Sequence, residues 1–354
     1  MANNIDIFSW ASMTTAVNKL KPARTFLLSS TFKRKVQHAV RTIYYGKRSA
    51  TDKLALFVNP HENPKLVDQI SKTAKSFELP ITREKQTFNA EDLAKEKPVS
   101  PIFIGSSSEI AKASSDKVLF EIQGLKDRVV RLREWMAAQA VSTGVIEVSQ
   151  ANISFKLDFG FVAGTHLITR TGNDLWTSTN SDPLEELRTQ KRAMARRGYK
   201  ATRAILGTAA ADAFVSHAKV QHDNLRKGFV IGDVNATTPY SDFGTYLGKF
   251  AGIDVYEYSY QYTNASNVVT DMIATGKCVI IGESTDMTPS SNPFRLHSGP
   301  IFRINNGKAV NTIMAEFLLE SIVSENKRFV EWDLEQCSLP AIHDPDAVVS
   351  LTII

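Results

Sequence analysis

The sequence predicts an α+β protein built on one dominant helix, and three observations lead there. First, Val118, Ile122, Leu125, Val129, Leu132 and Met136 recur at alternating steps of four and three between Ser114 and Thr143, which places them on one face of a helix. Second, alternating or short apolar runs that read as strands flank that helix on both sides (VIEV, NISFKLDFG, RFVEWDLE). Third, residues 51–100 hold a β excursion with too little apolar surface for a core of its own.

The helix is the element the others answer to. Ser114 or Ser115 is placed to cap its start and Gly144 to end it. Its length is about 40 Å, and a single apolar stripe that long needs a partner surface throughout. Lys117, Glu121, Lys126, Asp127, Arg131 and Glu134 fall mostly off the stripe. Two readings follow: a core helix of a large α/β domain, or a scaffold helix in a subunit completed by assembly.

The rest of the chain is read in order. Residues 1–50 form an arm with a short helix near Ser12–Leu20, an apolar knot at Phe26–Leu28, and a mixed basic and apolar run from Phe32 to Tyr45. None of these has enough apolar surface for its own core. DKLALFVNP then reads as a strand ended by Asn59-Pro60. Phe77, Leu79 and Ile81 alternate on a strand that Pro80 confines to an edge. If the protein were an enzyme, 51–100 would be a lid over a site. After the long helix, Ile153, Phe155 and Leu157 alternate with Ser154, Lys156 and Asp158, as in a half-buried sheet.

A compact α/β region follows. Asp182, Pro183 and Glu185 start a helix with a capping box, Arg196 and Arg197 suit its negative end, and Gly198 stops it. ATRAILG is a strand and Ala209–Leu225 a second helix. IDVYEYSYQY and KCVIIG are strands, and 285–293 is a loop. The apolar tail, with Pro345 at a strand edge or turn, is expected to be buried against the first sheet.

Composition narrows the function. The 354 residues, 43 % hydrophobic and 22 % charged, suit a globular chain of two or three domains. No run of 18 apolar residues exists, so no membrane partner is expected, and the first 25 residues lack a signal-peptide core. Cys278 and Cys337 sit among apolar neighbours and read as buried thiols of a reducing compartment. Charge is uneven: residues 1–53 hold ten Lys or Arg against Asp6 and Asp52, a surplus of eight, so the remainder is −3 in a total of +5. A basic arm suits an acidic surface or nucleic acid, or is simply solvated. Arg34, Lys35, Arg41, Lys47 and Arg48 are its candidate contact residues.

Catalytic signatures are missing. GTYLGK is one residue short of a Walker loop and has Phe250 where Ser or Thr should hold the metal. There is no GxGxxG after a strand, no GxSxG and no HExxH. His217 and His222 are five apart, which does not stack them on a helix face, and zinc needs three or four converging ligands. Asp158 is an unpaired carboxylate that reads as a turn cap before Gly160 rather than an acid. No catalytic residue, metal or cofactor is expected.

An ordered set of short motifs carries a resemblance. The Thr143-Gly144 turn leads to strands ending in Asp158-Phe159-Gly160. Trp176 precedes Asp182-Pro183-Leu184-Glu185 and Leu187, and Gly198-Tyr199 precedes a strand ending in ILG. GIDVYEYSYQY follows, then Leu339-Pro340-Ala341 and Pro345-Asp346-Ala347. In that order they resemble the lambda-type major capsid proteins of tailed bacteriophages, the capsid protein E family, which have the Hong Kong 97-type fold.

The resemblance implies an N-terminal arm at 1–50, reaching over a neighbour, and an extended β loop at 51–100. It implies a peripheral domain at 101–163 with a spine helix at 114–143, whose packing face is the stripe from Val118 to Met136. An axial domain at 164–315 and a return to the peripheral domain at 316–354 complete the scheme. It also implies self-assembly through hexamers and pentamers into an icosahedral shell around double-stranded DNA. Scaffolding, decoration and portal proteins would be partners, assembly would occur in the bacterial host cytoplasm, and the virion head would be the destination. Alternatives are the lidded α/β enzyme and an encapsulin-like compartment shell.

Overall fold

A computed structural model describes residues 10–21, 23–48, 72–89, 107–150, 153–226, 244–264, 266–284, 292–305, 308–313, 315–323 and 329–354. The chain opens with helix α1 (Trp10–Lys19), the single turn α2 (Leu27–Ser30) and strands β1 (Arg34–Gln37), β2 (Thr42–Arg48), β3 (Lys72–Glu78) and β4 (Ile81–Asn89). The long helix α3 (Ser107–Thr143) follows, then β5 (Val145–Gln150), β6 (Ile153–Asp158) and β7 (Leu167–Thr169). Next come α4 (Pro183–Arg196), β8 (Tyr199–Leu206), α5 (Thr208–Ser216) and α6 (Ala218–Arg226). The second half is β: β9 (Gly244–Phe250), β10 (Ile253–Tyr258), β11 (Gln261–Thr263), β12 (Val269–Asp271), β13 (Lys277–Ser284), β14 (Phe294–Ser298), β15 (Ile301–Asn305), β16 (Lys308–Ile313), β17 (Leu318–Val323), β18 (Phe329–Ile342) and β19 (Val348–Thr352). All of DKLALFVNP and most of the 285–293 loop lie outside the described residues.

Helix α3 is 37 residues, roughly 55 Å, and starts at Ser107 rather than near Ser114. Ser114 and Ser115 therefore lie inside the helix and not at its start. The run SSEIAKASSDK has no Gly or Pro and carries Glu, Ala and Lys, so nothing in it stops a helix from continuing. At the other end Gly144 takes φ +72° and donates its N–H to Ala140 O at 3.1 Å, the expected left-handed stop.

Two sheets share α3. In the first, β18 is the spine: β4 pairs along Phe329–Cys337, β17 along Val330–Glu335 and β14 along Ser338–Ile342, with β1 added parallel to β14. The second has order β7-β19-β13-β8-β10-β9. Its central strand β13 sends Val279 and Ile281 to one face and Cys278 and Ile280 to the other, all buried. Apolar residues on both faces are why KCVIIG reads as an uninterrupted run.

Three apolar clusters result. The first-half stripe of α3 (Val118, Ile122, Leu125, Val129) packs with α1, β17 and β18. Past Val129 the stripe enters a second cluster: Met136, with Leu132 half-buried beside it, joins residues of β8, β10 and β13 as well as of β14 and β18. α4 and α5 cover the opposite face of the six-stranded sheet.

Several expectations change. Ala209–Leu225 is two helices, because His217 is extended (φ −66°, ψ 127°) and buried between α5 and α6. The tail divides: β18 lies on α3, but β19 joins the six-stranded sheet between β7 and β13 rather than the first sheet. Likewise β14, from the 164–315 region, and β1, from the arm, belong to the β18 sheet. The described arm is folded onto its own chain, with Phe26, Leu27 and Phe32 at most 1 % exposed. Only backbone pairing dictates these exchanges, and pairing partners are not written in periodicity.

The two glycines of this helix segment predict opposite outcomes. A Cβ on Gly124 meets nothing within 4 Å, so Gly124→Ala should stabilise by about 0.5–1 kcal/mol. A Cβ on Gly144 would lie 2.2 Å from Phe161 Cγ at positive φ, so Gly144→Ala should cost about 2 kcal/mol or more. Denaturant midpoints of the unassembled chain measure both, and equal effects would refute this account of the helix stop.

Candidate functional site

The surface that organises the subunit is a polar row at the edge of the α3 stripe. Lys126 and Arg133 follow Ile122 and Val129 by one helical step of four, so they turn inward with the stripe. Both are 2 % exposed and Glu134 is 0 % exposed. Glu134 Oε1 accepts the N–H groups of Phe26 (2.9 Å) and Leu27 (2.7 Å) and the Tyr258 hydroxyl (2.8 Å). Its Oε2 accepts from Leu28 N–H at 3.0 Å. A carboxylate thus satisfies the open amides at the start of α2.

Lys126 does the converse for α1. Its Nζ donates to the carbonyls of Val17 and Leu20, each at 2.7 Å, at the end where helix carbonyls lack partners. Arg133 stacks 4.4 Å over Phe317, donates to Glu316 Oε1 at 2.7 Å and contacts Gln336 Oε1. Glu316 also accepts from Lys35 at 2.8 Å, which ties β1 into the same network.

Burial pushes the Glu134 carboxyl up, opposed by its backbone and Tyr258 donors. Burial pushes Lys126 down. Burial also works against the Glu316 carboxylate, but Arg133 and Lys35 outweigh it and hold its pKa below the ordinary value.

The basic candidates have unlike surroundings. Arg34 is half-buried, whereas Lys35 is exposed and paired with Glu316. Arg41 is half-buried, donates to Pro300 O at 3.2 Å and sits 4.7 Å from the Phe302 ring centroid. Lys47 and Arg48 lie on β2, their side chains outside the described set. Lys33, Lys35, Lys126 and Arg133 line one groove of about 280 Å³, with Glu316 the acid among its walls. Apolar groups also stand exposed, Phe120 on α3 at 76 % and Val269 on β12 at 61 %.

The resemblance motifs act as turn and edge locks. Asp158 Oδ1 accepts Gly160 N–H at 2.7 Å, a cap and nothing more. Asp182 Oδ1 accepts Glu185 N–H at 3.0 Å, while the Glu185 carboxylate is engaged by Arg188 and Arg192. Gly198-Tyr199 and Pro345-Asp346-Ala347 meet: Tyr199 Oη donates to Asp344 Oδ2 at 2.7 Å, and Asp346 takes His166 at 2.8 Å and Arg197 at 3.5 Å. Trp176 N–H donates to Ile353 O at 3.1 Å, fixing the chain's last strand.

No catalytic arrangement is assembled from the residues weighed for one. His217 is buried and bonded to Ser181 Oγ and Ser178 O, each 3.2 Å away, while His222 is exposed. Among the described residues no group of three His, Cys, Asp or Glu converges as metal ligands. Burial pushes both cysteine thiols up, away from reactivity. No described helix is long and apolar enough to cross a membrane.

The fold is thus a long helix shared by two sheets, with a basic arm and a two-stranded ladder. Two solved structures share it. A putative capsid protein of a prophage of Escherichia coli CFT073 matches with TM-score 0.67 at 11 % identity, covering 97 % of this chain and 98 % of its own. A phage-related protein from Bordetella bronchiseptica RB50 matches with TM-score 0.52 at 13 % identity, covering 96 % and 95 %. No curated protein matches the sequence. The family model of the phage major capsid protein E matches residues 9–353, and the chain belongs to that family. It is a structural protein of the phage head, not an enzyme, and it assembles with itself into an icosahedral shell. The lidded-enzyme and compartment-shell readings give way to this one.

The arm dock is testable. Glu134→Gln keeps one accepting oxygen and turns N–H groups toward a backbone N–H, so it should cost about 2 kcal/mol. Denaturant unfolding would measure this, and tryptic cleavage at Arg24 should accelerate. An unchanged midpoint and cleavage rate would show that Glu134 does not hold the arm.

Proposed function

We propose that copies of this chain associate as hexamers and pentamers whose closed shell surrounds packaged double-stranded DNA. The axial domain would comprise 164–315 without β14 but with β19, and surround each capsomer centre. The rest of 101–163 and 316–354, with β14, would form the periphery, and 1–50 the arm; of 51–100, the part up to Glu78 would be the loop lying on a neighbour, because β4 pairs with β18 of its own chain. The observation that carries this is the ladder of β2 and β3. It runs seven pairs from Thr42–Glu78 to Arg48–Lys72, beyond Ile43 and Phe77, the residues through which it packs on the core. A two-stranded ribbon is marginal alone and needs another surface. Phe120 and Val269 offer apolar contact area of the kind neighbours cover. Interfaces of such obligate assemblies bury on the order of several thousand Å², through heterologous contacts that close into rings.

The arm's surplus of eight positive charges supports a phosphate-facing or acid-facing role without sequence readout. Arg34, Lys35, Arg41, Lys47 and Arg48 remain its proposed contacts. Assembly in the bacterial host cytoplasm and docking of scaffolding, decoration and portal proteins complete the reading.

Expression of the chain alone, followed by size exclusion and negative-stain microscopy, tests it. Shells, tubes or capsomer rings are expected, and a protease-resistant monomer would overturn it. Neutralising Arg34, Lys35 and Arg41 should lower particle yield or genome content. Because Arg34 and Arg41 are half-buried, Lys47→Gln with Arg48→Gln serves as the companion variant. Unchanged yield and content in both would remove the charge role.

A further inference from the structure

Three histidines form an unbroken chain across the first sheet. His38 follows β1, His297 is in β14 and His343 follows β18, so each ring belongs to a different neighbouring strand. His38 Nε2 is 2.7 Å from His297 Nδ1, and His297 Nε2 is 2.8 Å from His343 Nε2. His38 and His297 stack with centroids 5.0 Å apart, and Phe77 of β3 sets its edge on His297 at 6.3 Å. His38 also donates its backbone N–H to Ser298 O at 2.8 Å, the last bond of the β1–β14 pairing before the chain turns into β2. The chain of rings thus stands where the arm strand and the β2–β3 ladder join the body.

We propose that His38, His297 and His343 are a proton-operated latch that holds β1 and the base of the β2–β3 ladder on the body and releases them on acidification.

Proton counting supplies the mechanism. Three neutral imidazoles carry three N–H groups, enough for two N–H···N bonds in one direction along the chain. One added proton is tolerated: on His297 it makes both nitrogens donors, to His38 on one side and His343 on the other. A second proton leaves no such solution. Two charged neighbours set N–H against N–H, and one bridge is lost.

The surroundings favour the neutral state. The charged groups acting on the rings are Arg295 of β14 and Arg34 of β1, both cationic. Asp344 follows His343 but gives its carboxylate to Tyr199 Oη and the Asp346 amide. On β3, Glu78 follows Phe77 and pairs its backbone with Thr42. Burial first, then the neighbouring rings and arginines, lowers His297 to about 4 and His343 to about 3; burial lowers His38 as well. Rings released from the sheet return to about 6.5. The opened form therefore binds more protons than the closed one below that value. The latch is at full strength above about pH 6.5 and weakens steadily as pH falls.

The test is hydrogen exchange by mass spectrometry on the full chain in its assembled form, at about pH 7.5 and about pH 5, corrected for intrinsic exchange. Protection of 34–38 and 42–48 should fall at least about tenfold, because a ring released at about pH 5 is mostly protonated and a closed one is not, while 278–281 in the six-stranded sheet changes less than about twofold. His38→Gln should reduce the pH-dependence of arm protection at least about threefold, since one of the three titrating rings is gone, and His343→Gln serves if that variant does not fold. No change in the wild type, equal loss in both regions, or a pH effect of undiminished size in the variant would each overturn the latch.

Discussion

The structure depends on the burial of Glu134 and its row on α3. A charged group with no exposed surface is costly unless every lone pair is used, and here three backbone amides and a tyrosine hydroxyl use them. That requirement fixes where α2 starts, which fixes where Phe26, Leu27 and Phe32 enter the core. Lys126 anchors the end of α1, and Arg133 with Glu316 anchors β1 through Lys35. Remove the row and α3 keeps its apolar stripe but loses the device that locates the arm.

The helix can serve this role because it is longer than either sheet it touches. Between Val129 and Leu132 the stripe passes from the cluster with α1 and β17 to the one where β18 meets β8, β10 and β13. A rigid rod embedded in two sheets transmits load between them without a flexible joint. Closed shells need subunits that deform little within themselves while adapting at their contacts. The division of labour is visible in the fold: buried charges and apolar clusters around α3, but a two-stranded ladder and exposed apolar groups away from it.

Much of this was legible in the residues. The stripe of α3, the stop at Gly144, the start of α4 at Asp182 and the alternation of β6 follow from period and cap chemistry, which are local. What was not legible is what depends on distant partners. β19 and KCVIIG are equally apolar, and nothing in either says that they pair. The break at His217 needs Ser178 and Ser181, more than thirty residues earlier, as partners for a buried ring. Lys126 and Glu134 fall off the apolar stripe, where a charged residue is rarely buried. The one available signal was position: Lys126 and Arg133 sit four residues after stripe members, at the edge that a wider buried face would include.

The short motifs that identified the family carry a related lesson. Each is a local turn element, yet several are joined to one another in space. Tyr199 reaches Asp344, Asp346 is shared by His166 and Arg197, and Trp176 fixes the strand at Ile353. These contacts join residues separated by more than a hundred positions. Their order along the chain is specific because the fold requires all of them at once, although each alone is common. In a protein with no reaction to perform, such locks have a mechanical use: they hold the turns and the strands of the six-stranded sheet in one arrangement.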